Sequence, residues 1–326
     1  MDDFDKPYKD YPEMIEILKN RNVIIQNEDQ AKMFLSELSY YGLINACKRY
    51  FPTDNEIFLN QVYFEEFIYS YMLENQFNTI LLRYILFVER SFKSNISHLV
   101  SKKYGIYLDL NDIHFQNKDS YLCNANYSSS AQNVISSLKS VLEELNKYKE
   151  KNLSIKHYLK NHNHLPLWIV MNCLNLGTVA NYYQILKKQD KQEIADIMVH
   201  TNRFSCEEKK KFLLNGVRLI TKYRNSIAHG QEIYANKISR KLPKDLVLKI
   251  TNRKITKADY LNGIGSNDKL SVLLVLCTIL VSPFKKMLIN DIHSLEMSFN
   301  ETVINNKNAF KIFNLPDDYI EILNNI

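Results

Sequence analysis

Glycine and proline are scarce here, with 7 of each among 326 residues. An all-β fold needs many tight turns, which these two residues supply, so their scarcity argues against sandwiches and barrels. Cysteine is sparse too. Its five copies, Cys47, Cys123, Cys173, Cys206 and Cys277, form no CxxC pair and keep no metal-like spacing from a histidine. An odd, dispersed set reads as the reduced thiols of a cytosolic protein. No long hydrophobic run occurs. The most apolar stretch, LSVLLVLCTILVSP over 270–283, is too short for a membrane span and stops at Pro283, so it reads as a buried core helix. The opening MDDFDKPYKDYPEM is acidic and polar, unlike a secretory signal. There is no P-loop, no GxGxxG and no GxSxG. The expectation is a cytoplasmic protein with no membrane segment and no cofactor.

The composition is that of an ordinary globular chain, 45% hydrophobic and 24% charged. A net charge of +6 permits a nucleic-acid partner without showing one. Helical period dominates. PEMIEILKNRNVII (12–25) carries Met14, Ile15, Leu18 and Ile24 on one face, with Pro12 suited to a first turn. Asn27 can cap a second helix bearing Met33, Phe34, Leu38 and Tyr41. The longest helical stretch, 64–105, is expected to break near Glu74–Asn78, and its aromatic stripe reads as a packing face. The polar, aperiodic stretch from Asp109 to Ser130 reads as a long and mobile connection. Helix returns at 131–149 and 165–186, where Gly177 suggests a helix end and Thr178 a new cap. Ser205 and Glu208 have capping-box spacing ahead of a face built from Phe212, Gly216, Ile220, Tyr223 and Ile227. A strong helix is expected over 268–300, and a last short helix after Pro316.

The fold expected is therefore mostly α, a single unit over 1–326. Its parts are an N-terminal helical portion (1–60), a core (64–234), a basic insertion (235–267) and C-terminal helices (268–326). The insertion differs from the rest. LVLKIT alternates like a strand, which suggests a short hairpin or an irregular segment.

One stretch carries chemistry. YRNSIAHGQEIY (223–234) sets Arg224, Asn225 and His229 near the end of an amphipathic helix and follows them with Gly230. Arg and His at this distance are a weak pattern alone, compatible with a surface arginine and a helix-terminal histidine. At about 100° per residue, Arg224 and His229 stand about 140° apart and would flank a groove. Asn225, four residues before His229, could orient the imidazole. The pair suits RNA cleavage by internal attack of a 2′-hydroxyl. An imidazole with a pKa of about 6.5 can take or return the proton. A guanidinium can hold two phosphate oxygens and balance the extra charge of the transition state. That chemistry needs no metal. His157, His162 and His164 cluster in HYLKNHNHL, but neither Cys nor carboxylate stands at ligand spacing, so no metal site is assigned. Glu89 with Lys93 reads as an intrahelical pair. Lys237, Arg240, Lys241, Lys244, Lys249, Arg253, Lys254 and Lys257 are candidate phosphate contacts, or a solvated face.

Several ordered segments together resemble one family. YRNSIAHGQEIY resembles the R-N-x3-H signature of HEPN-type ribonucleases, as it occurs in bacterial abortive-infection proteins of the AbiD/AbiF group. EMIEILKNRNVIIQNEDQAKMFLSELSYYGLI is similar to that group's opening. YILFVERSFKSNISHLVSKKYG resembles its central iE-x2-lK-S-x-I…YG stretch, and LPLWIVMNCLNLGTVANYYQIL its P-W-v…l-fG-t element. FNLPDDYIEIL is similar to the family's ending. The resemblance implies a HEPN-like helical core and metal-independent RNA cleavage by Arg224 and His229, with Asn225 orienting one of them. It also implies a toxin role in phage defence and a homodimer in which two motifs form one composite site. The AbiF-like members further imply control by a structured non-coding RNA. The rival expectation is a non-catalytic RNA-binding protein of the same fold. A helical interaction protein is the third.

Overall fold

Capping residues set where the helices begin. In the computed structural model, which describes residues 6–228 and 239–326, Asp10 opens α1 (Tyr11–Asn20) with a capping box. Glu13 N donates to Asp10 Oδ1 at 3.0 Å and Asp10 N to Glu13 Oε2 at 2.9 Å. Pro12 sits in the first turn, where a missing N–H costs nothing. Asn27 caps α2 (Glu28–Leu38), its Oδ1 accepting from Gln30 N at 3.0 Å. Both helices begin near where the sequence places them, but they are shorter than expected: Ile24 lies in a two-residue strand after α1, and Tyr41 lies beyond α2. The face α2 buries is Ala31 and Leu35, while Met33 and Tyr41 are exposed. The described chain is 64% helical.

The residues group into two units, each assembled from segments distant in sequence. No linker composition marks the division. Among the described residues, the first unit takes the chain through Ile80 and Asn290–Pro316. The second takes Leu81 onward to Ile289, and Asp317–Ile326.

In the first unit α1 packs on α2. Three two-residue ladders accompany them: Val23–Ile24 with Val62–Tyr63 in parallel, Thr53–Asp54 with Ile57–Phe58, and Val303–Ile304 with Lys307–Asn308, the last two antiparallel. Phe51, Phe58 and Phe67 form an aromatic cluster with ring centroids 4.9–5.9 Å apart. Helix α3 (Phe64–Tyr104) runs 41 residues without the break expected near Glu74–Asn78. Its polar residues there are buried and partnered rather than terminal. Tyr50 Oη donates to Glu74 Oε2 at 2.7 Å and Asn78 Nδ2 to Glu74 Oε1 at 3.4 Å. A buried carboxylate so satisfied leaves the helical ladder intact.

In the second unit α3 buries Leu81, Tyr84, Ile85, Val88, Phe92 and Ile96 along one face. The 109–130 connection is irregular, as its composition suggests, yet it is tightly tied. Asp109 and Asp112 accept backbone N–H groups from Asn111, His114 and Asn117 at 2.6–3.2 Å. Phe115, Tyr121, Leu122 and Tyr127 are buried. The mobile connection expected from sequence is thus a packed one. There follow α4 (Val134–Tyr148), α5 (Leu153–Asn161), α6 (Leu167–Val170), α7 (Leu176–Ile185), α8 (Lys188–Met198) and α9 (Cys206–Ala228). Asn175, not Thr178, caps α7, accepting from Thr178 N at 2.9 Å, and Gly177 lies inside its first turn. The Ser205–Glu208 capping box forms as expected, with Ser205 N donating to Glu208 Oε2 at 2.7 Å.

The suggested hairpin within 235–267 is absent among the described residues. LVLKIT lies mostly in α10 (Lys244–Ile250), followed by α11 (Lys257–Leu261). Leu246, Val247 and Ile250 are buried, a helical spacing that alternation over so few residues does not distinguish from a strand. The stretch 268–300 holds two helices, α12 (Lys269–Ile279) and α13 (Ser282–Ser298), because Pro283 can continue no ladder from the preceding turn. All of α12 is buried, packed against α9 and α14 (Tyr319–Asn324). Gly216 of α9 is the close approach: a Cβ there would stand 3.1 Å from Val275. No helix among the described residues is long and apolar enough to cross a membrane.

Candidate active site

Helix α9 is held on three sides, by α7, α8 and α12. Its buried face runs through Phe212, Gly216, Ile220 and Tyr223, the period read in the sequence, while Ile227 is half-buried. That fixed register leaves Arg224 half-buried and Asn225 exposed. Arg224 Nη1 donates to Asn225 Oδ1 at 3.3 Å, so within the described residues the amide touches the guanidinium. His229, Gly230 and Lys237 lie outside the described residues.

Arg224 lines a cleft of about 520 Å³ within the second unit. Three lysines share its wall: Lys93 from α3, Lys147 from the end of α4, and Lys151 just beyond it. Lys147 Nζ lies 5.2 Å from the centre of the Tyr148 ring, also in the wall. Four cations around one concavity make an environment for anionic oxygen. Sequence reasoning had not placed any of these lysines with Arg224. The pair it did read, Glu89 and Lys93, forms as expected with Lys93 Nζ donating to Glu89 Oε1 at 2.7 Å, and this pair faces the cleft.

Two carboxylates temper the positive wall, and they differ in use. Glu144 is saturated. Its Oε2 accepts from Asn175 N at 2.8 Å, and its Oε1 accepts from Thr178 Oγ1 at 2.7 Å and from Asn175 Nδ2. It therefore ties α4 to the start of α7. Glu89 keeps its Oε2 buried and without a hydrogen-bond partner among the described residues. Cys173 also lines the cleft, but its thiol donates to Val170 O at 3.1 Å. Burial first, then the Glu144 charge, pushes that thiol up to about 11. It stays protonated near neutrality and is no nucleophile.

A family model described as Abi-like protein matches residues 33–235. The chain belongs to the Abi-like family. This is an abortive-infection family, and every residue lining the cleft lies within the matched span of this Abi-like protein. No curated protein and no solved structure matches the chain. Three of the segments that carried the resemblance meet at the cleft: Glu89 and Lys93 from the first, Asn172–Asn175 from the second, Arg224 from the third.

The basic set is uneven. Lys249 Nζ is bound to Glu208 at 2.6 Å, and Lys254 Nζ to Glu321 at 2.6 Å and Asp318 at 3.2 Å. Arg240, Lys241, Arg253 and Lys257 are exposed, Lys244 is half-exposed, and none of the five makes an ion pair among the described residues. His157, His162 and His164 gather around Tyr158, with ring centroids of successive histidines 5.6 and 6.0 Å apart. They form no grouping suited to a metal ion with other described residues.

Proposed function

We propose that this Abi-like protein is a HEPN-type endoribonuclease of the AbiD/AbiF kind, acting as a toxin in abortive infection. The observation that carries the reading is the position of Arg224. It is the arginine of the R-N-x3-H motif, and it stands in a cleft walled by Lys93, Lys147 and Lys151. A surface ornament would need no such company.

In the proposed reaction the ribose 2′-oxygen forms a bond to the adjacent phosphorus as the bond to the 5′-oxygen breaks. The 2′-hydroxyl gives up its proton and the leaving 5′-oxygen receives one, so a cyclic phosphate and a 5′-hydroxyl result. His229 takes or returns a proton in these steps. Arg224 donates to the non-bridging oxygens and balances their growing charge. Asn225 holds the guanidinium in the orientation that its 3.3 Å contact sets. One histidine per chain serves one side of the phosphorus at a time, so a homodimer that brings two motifs together completes the site. Restraint of the toxin falls to a structured RNA bound through the unpaired part of the basic set, Arg240, Lys241 and Lys244 foremost.

The test is cleavage of RNA by the purified protein in EDTA, with Arg224→Ala and His229→Ala beside it. Cleavage by the parent alone is expected. Activity kept by both variants, or lost to the chelator, refutes the mechanism. Binding without any cleavage by the parent would identify a non-catalytic RNA-binding protein instead.

A further inference from the structure

Of the two carboxylates that the described residues place in the cleft, only Glu89 has an oxygen to spare. Its Oε1 accepts from Lys93 at 2.7 Å, while Oε2 is buried and meets no donor among the described residues. The residue is only 9% exposed. A buried carboxylate oxygen left unpaired is costly, and structures keep such atoms mainly where something else completes them. An ionised carboxylate can only accept, so whatever completes it must bring an O–H or an N–H.

The surroundings narrow the choice. Lys147, Lys151 and Arg224 line the same space and favour an anion. A phosphodiester satisfies those cations but carries no donor of its own at neutral pH. The donor must then come from the group attached to the phosphate. Along a nucleic-acid chain the group nearest each phosphate that carries an O–H is the ribose, through its 2′-hydroxyl. We propose that Glu89 Oε2 accepts the hydrogen bond of a ribose 2′-hydroxyl, and that this contact makes the cleft select ribonucleotide over deoxyribonucleotide chains. Lys93, held by Glu89 one turn along α3, stands ready beside the neighbouring phosphate. The inference rests on the reading of the cleft as an RNA site, but not on cleavage taking place there.

The experiment compares binding of a short oligouridylate and the matching oligodeoxyuridylate. The two share a base and differ only at the 2′ position, so a base N–H reading Glu89 would bind them alike. His229→Ala protein serves as the parent, to prevent turnover during the measurement. The parent should bind the ribo-oligomer roughly tenfold tighter, the effect of one hydrogen bond to a charged acceptor. Glu89→Ala in that background should bring the ratio close to one, with affinity for the deoxy-oligomer unchanged or higher because a negative charge leaves a cationic cleft. A merely structural role would weaken both oligomers equally and leave the ratio unmoved. Glu89→Gln retains the shape and one weaker acceptor, and its ratio should fall between the two. It carries the measurement if the alanine variant does not fold. Equal binding of both oligomers by the parent, or a ratio that Glu89→Gln leaves unaltered, overturns the proposal. Ribo-selective binding by a protein that never cleaves would overturn only the nuclease reading. Cleavage with selectivity indifferent to Glu89 would do the reverse.

Discussion

Replacing Glu144 by alanine should loosen the second unit at one identifiable joint. Three donors converge on this carboxylate: Asn175 N at 2.8 Å, Thr178 Oγ1 at 2.7 Å, and Asn175 Nδ2. Hydrogen bonds to a buried charged group contribute about 1.5–3 kcal/mol each. Glu144 is half-exposed and Asn175 exposed, so solvent screens them, and about 1 kcal/mol apiece is the fitting scale. The variant should then lose about 3 kcal/mol in all. For a unit of roughly two hundred residues that corresponds to a fall in Tm of about 6–12 °C. Thermal melts followed by circular dichroism would read it. A mutant cycle isolates the mechanism. Thr178→Val should cost about 1 kcal/mol in the parent and almost nothing once Glu144 is gone. If Thr178→Val costs the same in both backgrounds, or if Glu144→Ala leaves Tm within a degree of the parent, the joint is not what holds α4 to α7.

The cap of α9 should be acid-sensitive. Glu208, bonded first by Lys249 and then by Ser205 N, is held down to about 2 from an ordinary 4.5, so its contribution is complete above pH 4.5 and is lost as pH falls through about 2. Glu208→Gln should lower Tm at neutral pH, with the gap to the parent closing across that acid window; a gap that stays constant contradicts it. For RNA binding through the basic set, neutralising Arg240, Lys241 and Lys244 together should reduce the salt slope of log affinity by about 2. Neutralising Lys249 and Lys254, already engaged by carboxylates, should change it far less, and equal effects would show that ion pairing does not decide which cations meet RNA. Light scattering across concentrations should find a dimer wherever nuclease activity is found; a strictly monomeric protein with full activity ends the composite-site idea.

Much of the local structure was legible because it is decided within one turn of chain. Asp10, Asn27 and the Ser205–Glu208 pair start helices through hydrogen bonds to groups three residues away, so their identity and spacing suffice. The buried face of α9 follows from period alone through Tyr223, and the motif arginine could be named from its neighbours in sequence. Where two local signals competed, tertiary burial chose. LVLKIT fits a strand or a helix, and packing of Leu246, Val247 and Ile250 made it a helix. Glu74 and Asn78 look like an interruption until Tyr50 arrives from elsewhere in the chain to satisfy them. Asn175 displaced Thr178 as the cap of α7 and at the same time took Glu144 as a partner, an exchange invisible without α4 beside it. The cleft is the clearest case of this kind. Lys93, Lys147 and Arg224 sit on three helices far apart in sequence, and no periodicity links them. The sequence by itself determined most of the helices, the caps of α1, α2 and α9, and the motif, because backbone hydrogen bonds are short-range in the chain. Only the packing of those helices brought Glu89 to the same cleft as Arg224 and left one of its oxygens without a donor among the described residues, because burial is a property of the assembled core.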